Sequence, residues 1–322
     1  ALTGPAPGNP ATGYPAYIDV ESWLDHHLLN VITLNVDALR LSAYFFKDRE
    51  QKIEMGPIWD FDRSMGTTGG GDVRAYNPRN WRGLTWDEGT DCFNSNPAIF
   101  TNPWYGRLFQ QIDFWQRYVD RYQELRQGLF SNGHIFGLVD GLAGQLREAQ
   151  PREASRWLDT TPRSGTVSRN GYTHTFPGTY QGEVDFMKRW LGDRLDFMDT
   201  NFLARPVLSR PAGPVTAGTT VTLTGPPGST LYYTLNGTDP RAAGGAVAAG
   251  AQTYSGPITI SSNRRLVARA RNLSHANLTG ASRPPLSTPW SGVVAATYVV
   301  QTPPLVITEL MYHPASPPPG NT

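Results

Sequence analysis

Between residues 19 and 33 the apolar positions recur at helical spacing. Val20, Trp23, Leu24, Leu28, Val31 and Ile32 share one face, and Asp19 stands where an N-cap belongs. A short polar stretch, "LNVDALRL", follows. Two strand-like runs come next, "SAYFFKD" and "KIEMGPIW", joined by the charged turn "REQ", which predicts a β-hairpin. From 66 to 102 the period is lost in "GTTGGG", "YNPRNWRG" and "FNSNP". A loop of that length in a compact domain is usually functional or mobile. Helical spacing returns at 103 to 128, with Pro103 suited to a first turn and Trp104, Leu108, Ile112, Trp115, Tyr118 and Tyr122 forming the stripe. Two more helices are expected, at 134 to 149 and 181 to 203. After "RPVLSRPAGP" the pattern turns to short β-branched runs such as "TTVTLTG", "STLYYTLNG", "PITIS", "RLVARARN" and "VVAATYVV". Turn residues punctuate them at roughly 10-residue intervals, as in a small β-sandwich.

The predicted fold class is therefore multidomain α+β. Residues 1–205 form a mostly helical unit around one hairpin, and 206–300 an all-β, immunoglobulin-like sandwich able to fold by itself. Residues 301–322 begin a further unit. Composition agrees: the 33 Gly and 27 Pro thicken after residue 205. The first residues carry no charged or apolar leader pattern, and the last strand breaks off soon after it begins. Both ends read as cuts, and the chain as an internal piece of a longer protein.

Charge and composition remove several classes of function. Lys and Arg total 28 against 27 Asp and Glu, so nothing favours nucleic acid as a partner. A single cysteine, Cys92, leaves no disulfide framework or cysteine-rich metal site. No apolar run reaches the ~20 residues of a membrane helix. His26 and His27 are adjacent on one helix, about 100° apart, and cannot chelate together; His134, His174, His275 and His313 lack ligand spacing. Trp81, Trp86 and Trp104 suit core packing better than a sugar-binding groove. Neither a nucleophile elbow nor a Walker loop is present.

The chemistry that remains is in "MGPIWDFDRSMG", residues 55–66, where Asp60 and Asp62 end a strand before a glycine-rich loop. A hairpin brings its second strand back to where its first began, its strands about 5 Å apart, so Asp37 and Asp60 become neighbours. Two carboxylates beside such a loop suit a hard divalent cation and the phosphates it carries. A D-x-D after a strand also serves as a turn cap, a solvated loop or a partner for Arg63. Metal-dependent glycosyltransferases use D-x-D too, but they need a βαβ nucleotide-binding unit that the pattern does not show.

The order helix, Asp loop, hairpin, Asp is also that of the catalytic segment of protein kinases. "YIDVESWLDHHLLNVITLNVDALRLSAYFFKD", "KIEMGPIWDFDRSMG", "DFWQRYVDRYQELRQGLFS" and "EVDFMKRWLGDRLDFMD" together resemble the spore coat protein CotH kinase-like family over residues 15 to 203. That resemblance implies a kinase-like C-lobe in a secreted or surface phosphotransferase using Mg2+ and ATP on a protein hydroxyl, surface or coat proteins being candidate substrates. It makes Asp37 the catalytic Asp and Asn35 a support for its loop. Asp60 becomes the magnesium ligand and Asp62 an accessory group in the cofactor and metal site. Ser42, five residues beyond Asp37, stands where kinases carry a metal-binding Asn. No lysine-bearing N-lobe precedes residue 15, so residues 1–322 alone are expected to be inactive.

The second half, around "GSTLYYTLNGTDP", "YSGPITIS" and "RLVARARN", resembles the sandwich module at the carboxyl end of chitobiases, also found among fibronectin-III-associated domains. It implies an extracellular or cell-surface multidomain protein. The tail "LVITELMYHP" resembles the first strand of a lamin-tail-like domain. Sequons at Asn236, Asn272 and Asn277 matter only in a eukaryotic secretory host. The alternative to a kinase is a non-catalytic surface or adhesion protein whose kinase-like part is structural.

Overall fold

A computed structural model describes residues 2–39, 42–68, 73–80, 104–157, 160–275 and 288–301. Cys92, Pro103, Trp81, Trp86, Asn277, His313, most of the 66–102 loop and the lamin-tail-like segment 302–322 lie outside these residues.

Helix α1 (Val20–Thr33) starts where its cap predicts, with the Ser22 amide donating to Asp19 Oδ1 at 2.8 Å. It ends at Leu34, which turns into left-handed backbone with φ 50°. The hairpin follows as β1 (Phe45–Phe46) and β2 (Glu54–Met55), antiparallel, with Phe45 opposite Met55. Its strands are far shorter than the apolar runs suggest, because α1 supplies much of the anchorage. Trp23 Nε1 donates to Ile53 O at 3.0 Å, and the Met55 amide donates to Ser22 Oγ at 3.2 Å.

The expected helix at 103–128 is two: α2 (Tyr105–Leu108) and α3 (Ile112–Leu125), with Phe109 packed at the bend against Trp115 and Tyr118. Helices α4 (Asn132–Leu146), α5 (Ala149–Arg156) and α6 (Tyr180–Asn201) follow. Between α5 and α6 the structure adds a second hairpin, β3 (Ser164–Arg169) and β4 (Tyr172–Pro177). Its turn is Asn170-Gly171, with φ of 48° and 76°, the positive pair that a tight hairpin turn demands. α1, α3 and α6 close on a core rich in aromatic rings: Trp115, Tyr118, Tyr122 and Trp190 are fully buried. α4 is different. It is largely apolar yet buries no residue completely, with Leu138, Leu142 and Leu146 each more than half exposed.

The β region contains β5 (Val207–Leu208), β6 (Gly213–Pro214), β7 (Thr219–Val221), β8 (Leu223–Thr224), β9 (Thr230–Thr234), β10 (Gln252–Thr253), β11 (Ile258–Ile260), β12 (Arg264–Arg271) and β13 (Val294–Val299). Five of these make one sheet in the order β10-β9-β12-β13-β6, antiparallel except for the parallel β13–β6 edge. The pairs β11–β7 and β5–β8 complete the layered arrangement around a second core, with Val221, Ile260, Leu266 and Tyr298 at its centre.

Central strand β12 is buried on both faces. Leu266, Ala268 and Ala270 fill the sandwich core, while Arg269 on the opposite face is only 2% exposed. That face meets α3. All five guanidinium N–H groups of Arg269 are used: two on Asp239 (2.6 and 2.7 Å), two on Asp120 of α3 (2.5 and 2.8 Å) and one on Ser291 O (2.7 Å). Along the same helix, Asp113 accepts from the Gly244 amide at 3.0 Å, Gln116 donates to Ser291 O at 3.0 Å, and Gln123 accepts from the Gly292 amide at 2.8 Å. α3 thus belongs to both layers.

Candidate functional site

The segment from 34 to 66 is where the backbone is least relaxed. Among the described residues seven non-glycine residues have positive φ, and six lie here: Leu34, Leu39, Ser42, Glu50, Asp60 and Met65. Left-handed backbone costs about 1 kcal/mol or more for an ordinary L-residue, and Asp tolerates it best by bonding locally. Such strain persists only where surrounding structure over-determines it, and it collects at functional sites.

Two anchors hold the segment. At the far end, Gly66 (φ 81°) is wedged against α6: a Cβ there would sit 2.6 Å from Phe186 and 2.9 Å from Trp190, so only glycine fits. Its carbonyl accepts from Arg163 Nη1 at 3.1 Å, while Arg163 is forked onto Glu183 and lies 4.1 Å over the Phe176 ring. The Met65 amide donates to Thr33 O at 2.9 Å, tying the same turn to the end of α1.

At the near end the anchor is Asn35, 2% exposed. Its Oδ1 accepts from the Asp37 amide at 3.2 Å, and its Nδ2 donates to Asp60 O at 3.3 Å and to Asn30 Oδ1 at 3.1 Å. Asp37 and Asp60, 23 residues apart in the chain, are therefore joined through one buried side chain. Their settings differ. Asp37 is 7% exposed and receives Arg63 Nη1 on both oxygens, at 3.2 and 3.4 Å. Asp60 is exposed and receives the Ser42 hydroxyl on Oδ2 at 2.8 Å. Asp62, two residues further along the chain, is exposed. The Arg63 ion pair that a bland account of D-x-D would assign to its own carboxylates is made instead with Asp37.

Among the described residues no group of three or more His, Cys, Asp or Glu stands together as a metal cage. Asp60, Ser42 and Asp62 offer oxygen donors only. That set fits magnesium, which typically takes one or two carboxylates and fills its shell with water and phosphate oxygens. His26 and His27 are buried packing groups. His27 lies among Tyr105, Phe109 and Tyr118, and burial lowers the pKa of His26 to about 4.

The sequence reading did not single out Asn30, or Gly66 with its Arg163–Glu183 clamp. Asn30 had a visible signal, a polar residue on the apolar face of α1. The clamp had none, since 97 residues separate Arg163 from Gly66.

Residues 4–198 match the family described as CotH kinase protein, and residues 210–279 match the chitobiase/beta-hexosaminidase C-terminal domain. No curated protein and no solved structure gives a significant match. The first match spans more than half of the 322 residues, and with the geometry above it places the chain: it belongs to the CotH kinase protein family.

Proposed function

We propose that this chain carries the catalytic lobe of a secreted or surface protein kinase, moving phosphate from Mg-ATP to a protein hydroxyl. The observation that supports this reading is the buried Asn35 bridge, which ties the backbone amide of sheltered Asp37 to the backbone carbonyl of exposed Asp60. Asp37, sheltered and oriented by Arg63 and Asn35, has the setting of a group that takes the acceptor's proton. Asp60, with Ser42 and Asp62, has the exposure and the donors to hold magnesium. Mg-ATP would supply the phosphoryl group and the cation that neutralises its charge.

The decisive experiment measures Mg-ATP binding and phosphate transfer by the intact protein. Asp60→Ala is expected to lose magnesium-dependent nucleotide binding. Asp37→Ala is expected to bind and not transfer. Parental transfer by both variants would refute the assignment.

A second reading, a non-catalytic surface or adhesion protein with a structural kinase-like domain, draws on one observation. Arg63 lies on both oxygens of Asp37, the group that would take the proton. Absence of any Mg-ATP thermal shift in the intact protein would favour it.

A further inference from the structure

Asn30 is a polar residue in the last turn of α1, 5% exposed, with Leu24, Leu28, Val31 and Ile32 around it in the core. Both ends of its amide are engaged. Nδ2 donates to His26 O at 2.9 Å, and Oδ1 accepts from Asn35 Nδ2 at 3.1 Å. Rotating the amide by half a turn would set oxygen against the His26 carbonyl and nitrogen against the Asn35 nitrogen, so only one orientation is satisfied. That orientation is passed on. Asn35 must point Nδ2 toward Asn30, which leaves Oδ1 for the Asp37 amide and its second Nδ2 hydrogen for Asp60 O. A directed chain of hydrogen bonds runs from the backbone of α1 to both carboxylate-bearing loops.

We propose that Asn30 is a positioning residue for the Asp37 and Asp60 site, acting through Asn35 to hold both loops in register with α1. Which reaction it serves rests on the kinase reading; the positioning itself does not. A role in packing and a role in positioning make different predictions.

The test uses the whole chain and three variants: Asn30→Leu, Asn35→Ala and the two combined. Hydrogen exchange at the Asp37 amide reads the Asn35 contact directly, and Mn2+ affinity probes Asp60 with the metal alone. Asn30→Leu is expected to speed Asp37 exchange about fivefold, the worth of one hydrogen bond. It should also weaken Mn2+ binding, while amides in the first turns of α1 keep their protection. The double variant should exchange no faster than Asn35→Ala, because residues acting in series are not additive. Unchanged Asp37 exchange in Asn30→Leu, or effects that add in the double variant, would overturn the proposal. If the parent protein binds neither Mn2+ nor Mg-ATP, the kinase reading fails, and the exchange cycle still decides the role of Asn30.

Discussion

Replacing Arg269 by Met tests whether the sandwich is bonded to the helical layer or only tethered to it. The substitution keeps an unbranched stem and removes five hydrogen bonds of 2.5 to 2.8 Å. It leaves Asp120 and Asp239 facing the same site without their shared cation. Removing one partner of a buried ion pair costs ~3–5 kcal/mol. Here the stranded carboxylates are 25% and 42% exposed, so water takes over part of their solvation, and about 2–3 kcal/mol is expected. In a chain of this size that lowers the melting temperature by roughly 3–5 °C. pH supplies an internal control. Burial pushes the Asp239 carboxyl up, but the hydrogen bonds and charge of Arg269, helped by Arg241, outweigh it and hold it below 3.8. Asp239 therefore contributes stability that is complete above its unfolded value and vanishes as pH falls through the lower folded value. Urea unfolding of parent and variant at pH 7 and below pH 4 should show the gap narrowing in acid. A variant within about 0.5 kcal/mol of the parent at pH 7, too small for any buried ion-pair loss, would refute the bonded interface. So would a gap that does not change with pH.

Gly66→Ala should destabilise by about 2–4 kcal/mol, since it combines positive φ with a clash against Phe186 and Trp190, whereas Gly218→Ala (φ 86°, open space) should cost only about 1 kcal/mol; chemical denaturation compares them. His26, with its pKa lowered by burial to about 4, resists charging, so stability should fall by up to about 3 kcal/mol as pH drops from 6.5 to 4, and His26→Leu should flatten that slope in pH-dependent unfolding. The isolated 206–300 sandwich, having its own core, should unfold cooperatively by calorimetry, at a lower temperature than in the whole chain because it lacks the α3 contacts.

What could be read in advance was whatever depends on local order. The Asp19 cap and the apolar face of α1 needed no tertiary partner to be visible, nor did the β-branched runs that became β9, β11, β12 and β13. The β3–β4 hairpin went unpredicted, although its Asn170-Gly171 turn is a local signal. Arg269 shows the opposite case. "RLVARAR" reads as a strand with one face in water, and only the arrival of α3 puts its arginine at 2% exposure. At the candidate site, hairpin topology led to the expectation that Asp37 and Asp60 are neighbours; the link between them is Asn35, bonded to the Asp37 amide and the Asp60 carbonyl. That topology said nothing of Arg63 turning onto Asp37, because sequence spacing does not fix where a long flexible side chain finds its partner.

Helix α4 bears on how the chain comes apart. Its contacts to α6 include the Lys188–Asp140 pair at 2.7 Å and Tyr180 OH donating to Ala143 O at 3.0 Å, with Ile135, Phe136 and Val139 only partly covered. It also carries four glycines, at 133, 137, 141 and 144, each lowering the cost of leaving the helix. Lifting α4 exposes little new apolar surface and breaks few bonds, so this stretch opens long before either core does. Among the described residues, this is where a protease meeting the native protein is expected to cut first. The products would stay together, since the fragment ending at α3 and the fragment beginning at α6 remain joined through Arg126–Asp199 and Tyr122–Leu195. Such a nick would be seen on a denaturing gel and missed by sizing.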